Sequence, residues 1–126
     1  MSVIVFCEDD ALIRKLIAVA TRSLPHDVHI ASDGLEGLRL IEELDPAVVF
    51  TDVSMPAMTG IELVERLRAS ADRCATPVVF MTASVQRQEL ASYSRLTTLA
   101  PLHKPFNVSQ LRAKIAVILE EVGHGG

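Results

Sequence analysis

Basic residues are in deficit in this chain. Twelve Lys and Arg face sixteen Asp and Glu, a net charge of −4, and the isoelectric point lies near 5.5. Nucleic-acid binding normally rests on a basic patch, so direct contact with DNA or RNA is not expected. No apolar run approaches the ~18 residues of a membrane span. The start of the chain, MSVIVFCEDD, has neither the basic region nor the cleavage site of a signal peptide. Cysteine is scarce. Cys7 and Cys74 stand 67 positions apart, which matches neither a zinc spacing nor a disulfide framework, and a reducing, cytoplasmic setting is expected. No Gly-rich loop follows the first apolar run, which removes the common nucleotide-binding motifs. No Cys/His cluster suits zinc or copper, and His26, His29, His103 and His124 show no ligand spacing. Repeats, low-complexity stretches and an internal linker are also missing, so residues 1–126 read as a single domain.

Apolar residues, in contrast, are plentiful, at 49% of the chain, and they fall into an alternating pattern. SVIVFC (2–7) reads as a strand buried on both faces. Residues 11–24 place Leu12, Ile13, Leu16, Ile17, Ala20 and Leu24 on one helical stripe. DVHIA (27–31) is a less apolar strand suited to an edge. Asp33 with Glu36 resembles a capping box ahead of a helix carrying Leu35, Leu38, Ile41 and Leu44, which Pro46 stops. AVVFTD (47–52) is a third strand. After the loop VSMPAMTG, Thr59 with Glu62 caps a helix of Ile61, Leu63, Val64 and Leu67. PVVFMT (77–82) is a fourth strand, and 85–95 a weaker helix with Leu90 its one strong aliphatic residue. LAPLHK (99–104) is expected as a fifth strand, at an edge because Pro101 lacks an N–H. Asn107 with Gln110 caps a last helix of Leu111, Ile115, Ile118 and Val122, with Gly123 as its stop. That stripe is first of all core packing, and part of the helix is a candidate partner surface. Five βα units of this kind predict an α/β fold: a doubly wound parallel five-stranded sheet with helices on both faces.

In such sheets, sites gather outside the carboxyl ends of the strands. The first strand runs into Glu8, Asp9 and Asp10, the third ends in Asp52, the fourth in Thr82, and the fifth in Lys104-Pro105. Two like charges ~4 Å apart repel by roughly 4 kcal/mol at an effective dielectric near 20. A bound cation is the obvious way to offset that repulsion, and carboxylate oxygens suit Mg²⁺. An anion approaching Asp52 would meet the metal, Lys104 and the Thr82 hydroxyl. That set fits phosphoryl transfer, with Asp52 a candidate nucleophile. Asp10 reads as either the N-cap of the first helix or a further metal ligand. Ser54 and Ser84 read as loop serines or as groups that tune water access.

Four motifs in order, CEDD (7–10), FTDVSMPAMTG (50–60), FMTAS (80–84) and HKPF (103–106), resemble the response-regulator receiver domain of two-component signal transduction over essentially the whole chain. The likeness is to the chemotaxis-type single-domain receivers. The resemblance implies flavodoxin-like strand order 2-1-3-4-5. It also implies phosphorylation of Asp52 by a phosphohistidine of a histidine kinase or histidine phosphotransfer protein, followed by a change of conformation. By the same resemblance, Asp9 binds Mg²⁺ directly and Glu8 through water, and Asp52 and the Ser54 carbonyl complete the ligands. Thr82 is then the switch hydroxyl and Lys104 the phosphate-binding lysine, with Pro105 commonly following through a cis bond. The output surface would be the fourth helix, fifth strand and last helix. The family usually has Tyr, Phe or His where this chain has Pro101. Pro101 has a locked φ and no long side chain, so the switch is expected to run through Thr82 and 83–90, with 99–103 quiet. The resemblance describes a signalling phosphoacceptor, at most slowly self-dephosphorylating, rather than an enzyme. An Mg²⁺-dependent aspartyl-phosphate phosphohydrolase is the alternative, and Ser54, standing where such enzymes need a second Asp, counts against it. A phosphate-independent interaction module on the same fold would usually lack an acid or the lysine, and neither is missing.

Overall fold

The computed structural model describes residues 1–83 and 87–124. Strands β1 (Val3–Cys7), β2 (Asp27–Ala31), β3 (Val48–Asp52), β4 (Val78–Thr82) and β5 (Leu102–His103) alternate with helices α1 (Ala11–Thr21), α2 (Gly34–Leu44), α3 (Gly60–Ala69), α4 (Arg87–Ser94) and α5 (Val108–His124). The strands form one sheet in the order β2-β1-β3-β4-β5, and every pairing is parallel. The doubly wound fold and the edge positions of β2 and β5 agree with the sequence pattern.

Side chains alternate across the sheet with the two-residue period of a strand. Val5, Cys7, Val49, Val78 and Phe80 point to one face, where Ile41 of α2, Leu63, Val64 and Leu67 of α3 and Tyr93 of α4 cover them. Ile4, Phe6, Val48, Phe50, Val79 and Met81 point to the other, under Ile17 and Ala20 of α1 and Leu111, Ile115 and Ile118 of α5. Phe6 and Phe50 stack there, with ring centroids 4.8 Å apart. Burying each such side chain stabilises the fold by about 1.5–3 kcal/mol, and with both faces covered, β1, β3 and β4 are apolar up to the Thr51, Asp52 and Thr82 that end β3 and β4.

Several expectations need correction. The fifth strand spans only Leu102 and His103, because Pro101 has no N–H and pairing with β4 starts beyond it. Helix α1 ends at Thr21, and Leu24 is reached through a turn in which its N–H bonds to the Thr21 carbonyl. Leu12 and Leu35 lie off the buried stripes, 79% and 55% exposed; both fall in the first turns of their helices. Gly123 does not stop α5, which continues to His124. The Asp33 carboxylate caps α2 through the Glu36 N–H, but Glu36 reaches back to Ser32 instead of Asp33, so that box is half formed. The boxes at Thr59/Glu62 and Asn107/Gln110 are complete.

Candidate functional site

Three consecutive acids leave β1, and the structure gives each a different place. The Glu8 N–H bonds to the Ala31 carbonyl at 3.0 Å, which extends the pairing with β2 by one residue and turns the Glu8 side chain inward to full burial. Its Oε2 accepts the Asp10 N–H at 3.1 Å, and its Oε1 meets Lys104 Nζ at 2.7 Å. Asp10 is the N-cap of α1, accepting the N–H groups of Leu12 and Ile13. Asp9, exposed, stays at the mouth of the site. Carboxylate oxygens of Glu8, Asp9 and Asp52 all lie within 4.8 Å of one another.

Asp52 ends β3 with 9% exposure. Thr51 Oγ1 donates to its carbonyl at 3.0 Å, and the Ser54 N–H to its Oδ1 at 3.4 Å. The loop beyond is anchored by buried Met55 and Met58, and Ala57 takes the left-handed conformation, φ 67°. Gly60 brings the start of α3 against this strand end. Its N–H bonds to the Val53 carbonyl, and a Cβ there would sit 2.0 Å from the Asp52 carbonyl oxygen.

Lys104 comes in from β5, its own N–H on the Thr82 carbonyl at 2.8 Å and its ammonium 3.3 Å from Asp52 Oδ2. The Lys104–Pro105 bond is cis. A cleft of about 250 Å³ opens beside Asp52, with Ser54, Thr82, Lys104 and Tyr93 among its lining residues. Thr82, the last residue of β4, is buried there.

The charges do not balance. Within the cluster, three carboxylates face one ammonium, an excess of negative charge. Burial raises the Glu8 carboxyl above the usual range, partly opposed by its hydrogen bond to Lys104. Burial likewise raises Asp52 against the opposing charge of Lys104. Burial pulls Lys104 down, but the bond to Glu8 and the field of Asp52 outweigh it and its pKa ends raised. An oxygen-only donor set with surplus negative charge fits a hard divalent cation. Among the described residues this is the one cluster of potential metal ligands.

Two further residues belong here that sequence patterns did not single out. Arg14, on the first turn of α1, donates Nη1 to the carbonyls of Glu8 and Asp9 at 3.1 and 2.7 Å, holding the acidic loop in place. Tyr93 walls the cleft from α4; its only signal was its being the sole tyrosine, in a helix with few apolar residues. Ser84 lies outside the described residues, as does the start of the 83–90 segment beyond Ala83. His26 and His29 are engaged away from the site: His26 accepts the Ser2 N–H, and His29 pairs with Asp27.

A doubly wound sheet with acids and a lysine converging on one aspartate at its switch point defines a class: α/β proteins with a charged site at the carboxyl ends of their strands. Residues 4–116 match the response regulator receiver domain, and the chain belongs to that family, the signalling receivers of two-component systems. It is 28% identical over 120 residues to chemotaxis protein CheY-3 of Vibrio cholerae, covering 94% of this chain and 92% of that one. It is 29% identical to the DNA-binding dual master transcriptional regulator RpaA of Synechocystis over 92% of this chain, but only 48% of that protein. Chemotaxis response regulator CheY4 of Vibrio cholerae superposes with a TM-score of 0.85 at 25% identity, over 94% and 98% of the two chains. No helix among the described residues is long and apolar enough to cross a membrane.

Proposed function

We propose that Asp52 is the phosphoacceptor of this receiver, taking a phosphoryl group from a phosphohistidine on a partner protein in an Mg²⁺-dependent reaction. The observation that carries this reading is the Asp52 carboxylate, at the cleft floor 3.3 Å from Lys104 Nζ and within 4.8 Å of the Glu8 and Asp9 oxygens. One Asp52 oxygen forms the new O–P bond while the P–N bond to the donor imidazole breaks. The Lys104 ammonium neutralises charge on the incoming phosphoryl oxygens, and the Thr82 hydroxyl hydrogen-bonds to the group once it is in place. Glu8, Asp9, Asp52 and the Ser54 carbonyl are the groups that would hold Mg²⁺, which would supply further charge neutralisation when bound. Arg14 keeps the acidic loop in register.

The partner is a histidine kinase or histidine phosphotransfer protein. An apolar groove of about 410 Å³ runs from Leu12, Ile13 and Leu16 on α1 to Pro105 and Phe106, with Lys104 also among its lining residues. That groove suits the apolar face of a donor helix whose histidine must reach Asp52. Output passes through the α4, β5 and α5 face to a protein target. The two free cysteines suit a reducing cytoplasm. The role is that of a switch rather than an enzyme. Incubation with a small phosphodonor and Mg²⁺ should label the parent chain at Asp52, and Asp52→Asn should abolish the label. An Asn variant that labels as well as the parent would rule Asp52 out.

A further inference from the structure

One wall of the Asp52 cleft takes no part in the chemistry proposed above. Tyr93 is 6% exposed, and its ring lies 5.0 Å from that of Phe80, tilted by 38°. Phe80 stands two residues before Thr82 on β4 and is itself buried, so it backs the tyrosine firmly from the sheet side. Tyr93 borders the cleft of about 250 Å³ that holds Asp52, Thr82 and Lys104. It also borders a second cavity, of about 490 Å³, lined by Phe80, Leu99, Pro101 and His103 among others. Among the described residues, one buried side chain is therefore shared between the lining of the phosphoacceptor cleft and that of a pocket at the α4–β5 connection.

The backbone of the same residue continues the link. The Tyr93 carbonyl accepts the N–H groups of Leu96 at 2.9 Å and Thr97 at 3.1 Å. Leu96 in turn accepts from Arg68 Nε of α3 at 2.8 Å, and Thr97 Oγ1 donates to the Val78 carbonyl of β4 at 2.7 Å. Close-packed interiors transmit strain and shift between discrete packings instead of deforming smoothly. A ring with room on two sides is where such a shift has space to occur. Pro101, across the second cavity, has a φ locked by its pyrrolidine ring and no aromatic side chain to rotate.

We propose that Tyr93 couples occupancy of the Asp52 cleft to the α4–β5 connection, as a positioning residue through which a bound phosphoryl group acts on Leu96 and Thr97. The coupling rests on the phosphoacceptor reading of Asp52. The sequence supplies its own probe: with one tyrosine and no tryptophan, tyrosine emission reports Tyr93 alone. With Mg²⁺ and saturating beryllofluoride, a bound ¹⁹F signal should appear, Tyr93 emission should change, and the Leu96 and Thr97 amide resonances should shift. Tyr93→Phe keeps the ring and should retain those amide shifts. Tyr93→Leu keeps apolar bulk and should lose them at saturating ligand. Bound beryllofluoride with unchanged tyrosine emission overturns the coupling, as does a Leu variant that keeps the Leu96 and Thr97 shifts. No bound ¹⁹F signal in the parent chain would instead overturn the phosphoacceptor reading, and the coupling with it.

Discussion

The two ends of the sheet handle charge in opposite ways. At the carboxyl ends of the strands, three carboxylates crowd together and two of them, Glu8 and Asp52, pair with one lysine. At the opposite end, where helices finish and strands begin, guanidinium groups meet backbone carbonyls. Arg68 donates to the carbonyls of Leu96, Cys74 and Thr76. Arg73 donates to those of Ile41 and Glu42 in the last turn of α2. Arg112 reaches from α5 to the Ala20 carbonyl at the end of α1. The acceptors of Arg73 and Arg112 lie in last helical turns, where carbonyls carry partial negative charge, and those of Arg68 lie in loops; the planar fork of an arginine satisfies several at once. One end is thus matched for stability. The other is left short of positive charge, and that shortage is what suits it to the cation and the phosphoryl group proposed above.

The sharpest test of the contrast is to damage the matched end. Arg68→Ala removes three hydrogen bonds from a charged donor, two of them partly buried (to Leu96 and Thr76) and one exposed (to Cys74), and should cost about 2–4 kcal/mol, read as a lower urea midpoint. Arg68→Lys should restore little of this, since one ammonium cannot reproduce the fork. A loss under about 0.5 kcal/mol would mean that water takes over these carbonyls and that the two ends differ less than their geometry implies.

The mismatched end should respond the other way. Without metal, Asp52→Asn removes a buried negative charge and should stabilise the domain by about 1–2 kcal/mol at neutral pH. The pH dependence follows from the raised carboxyls of Glu8 and Asp52. Their folded-state pKa values lie above the unfolded ones, so their stabilising contribution is full below the ordinary carboxylate range and is lost as pH rises through the raised values. The metal-free parent should therefore gain from this pair as pH falls from neutrality toward that range, and Asp52→Asn should gain less. Millimolar Mg²⁺ should stabilise the parent at neutral pH by mass action and flatten the same slope. Equal slopes in parent and variant would show that the site carries no electrostatic strain.

The smallest effect concerns the two cysteines, one at each end. Burial pushes the Cys7 thiol up to about 12, whereas Cys74 is exposed. Iodoacetamide should modify Cys74 in the native domain and Cys7 only after denaturation, with Cys74→Ser shifting stability by less than about 0.5 kcal/mol. Native labelling of Cys7 would mean that the β1 end opens more readily than its packing suggests.

Much of this architecture was legible in the linear pattern. The capping pairs at Thr59/Glu62 and Asn107/Gln110, the apolar runs of β1, β3 and β4 and the strand-end positions of Asp52, Thr82 and Lys104 depend on residues close together in the chain. Errors arose where a local rule met a tertiary one. LAPLHK has the composition of a strand, but only Leu102 and His103 find partners on β4. Leu12 fits a helical stripe, yet it is exposed and lines a surface groove instead of the core. Glycine after a helical run usually marks its end, but α5 passes Gly123.

By itself the sequence determined the alternation of strands and helices, and with it the parallel sheet that gathers Asp52, Thr82 and Lys104 at one edge. Periodicity and strand ends are local properties, and parallel pairing does the gathering. Only the tertiary structure decided how Glu8, Asp9 and Asp10 divide into a buried partner for Lys104, a group at the site mouth and a helix cap. That division depends on the Ala31 carbonyl and the Lys104 ammonium, which come from other strands. It also decided the arginine contacts, which join residues 28 positions apart for Arg68 and Leu96 and 92 apart for Arg112 and Ala20, and the place of Tyr93 between two cavities. Such contacts leave no periodic trace, because a long side chain or a ring finds its partner in space and not in sequence.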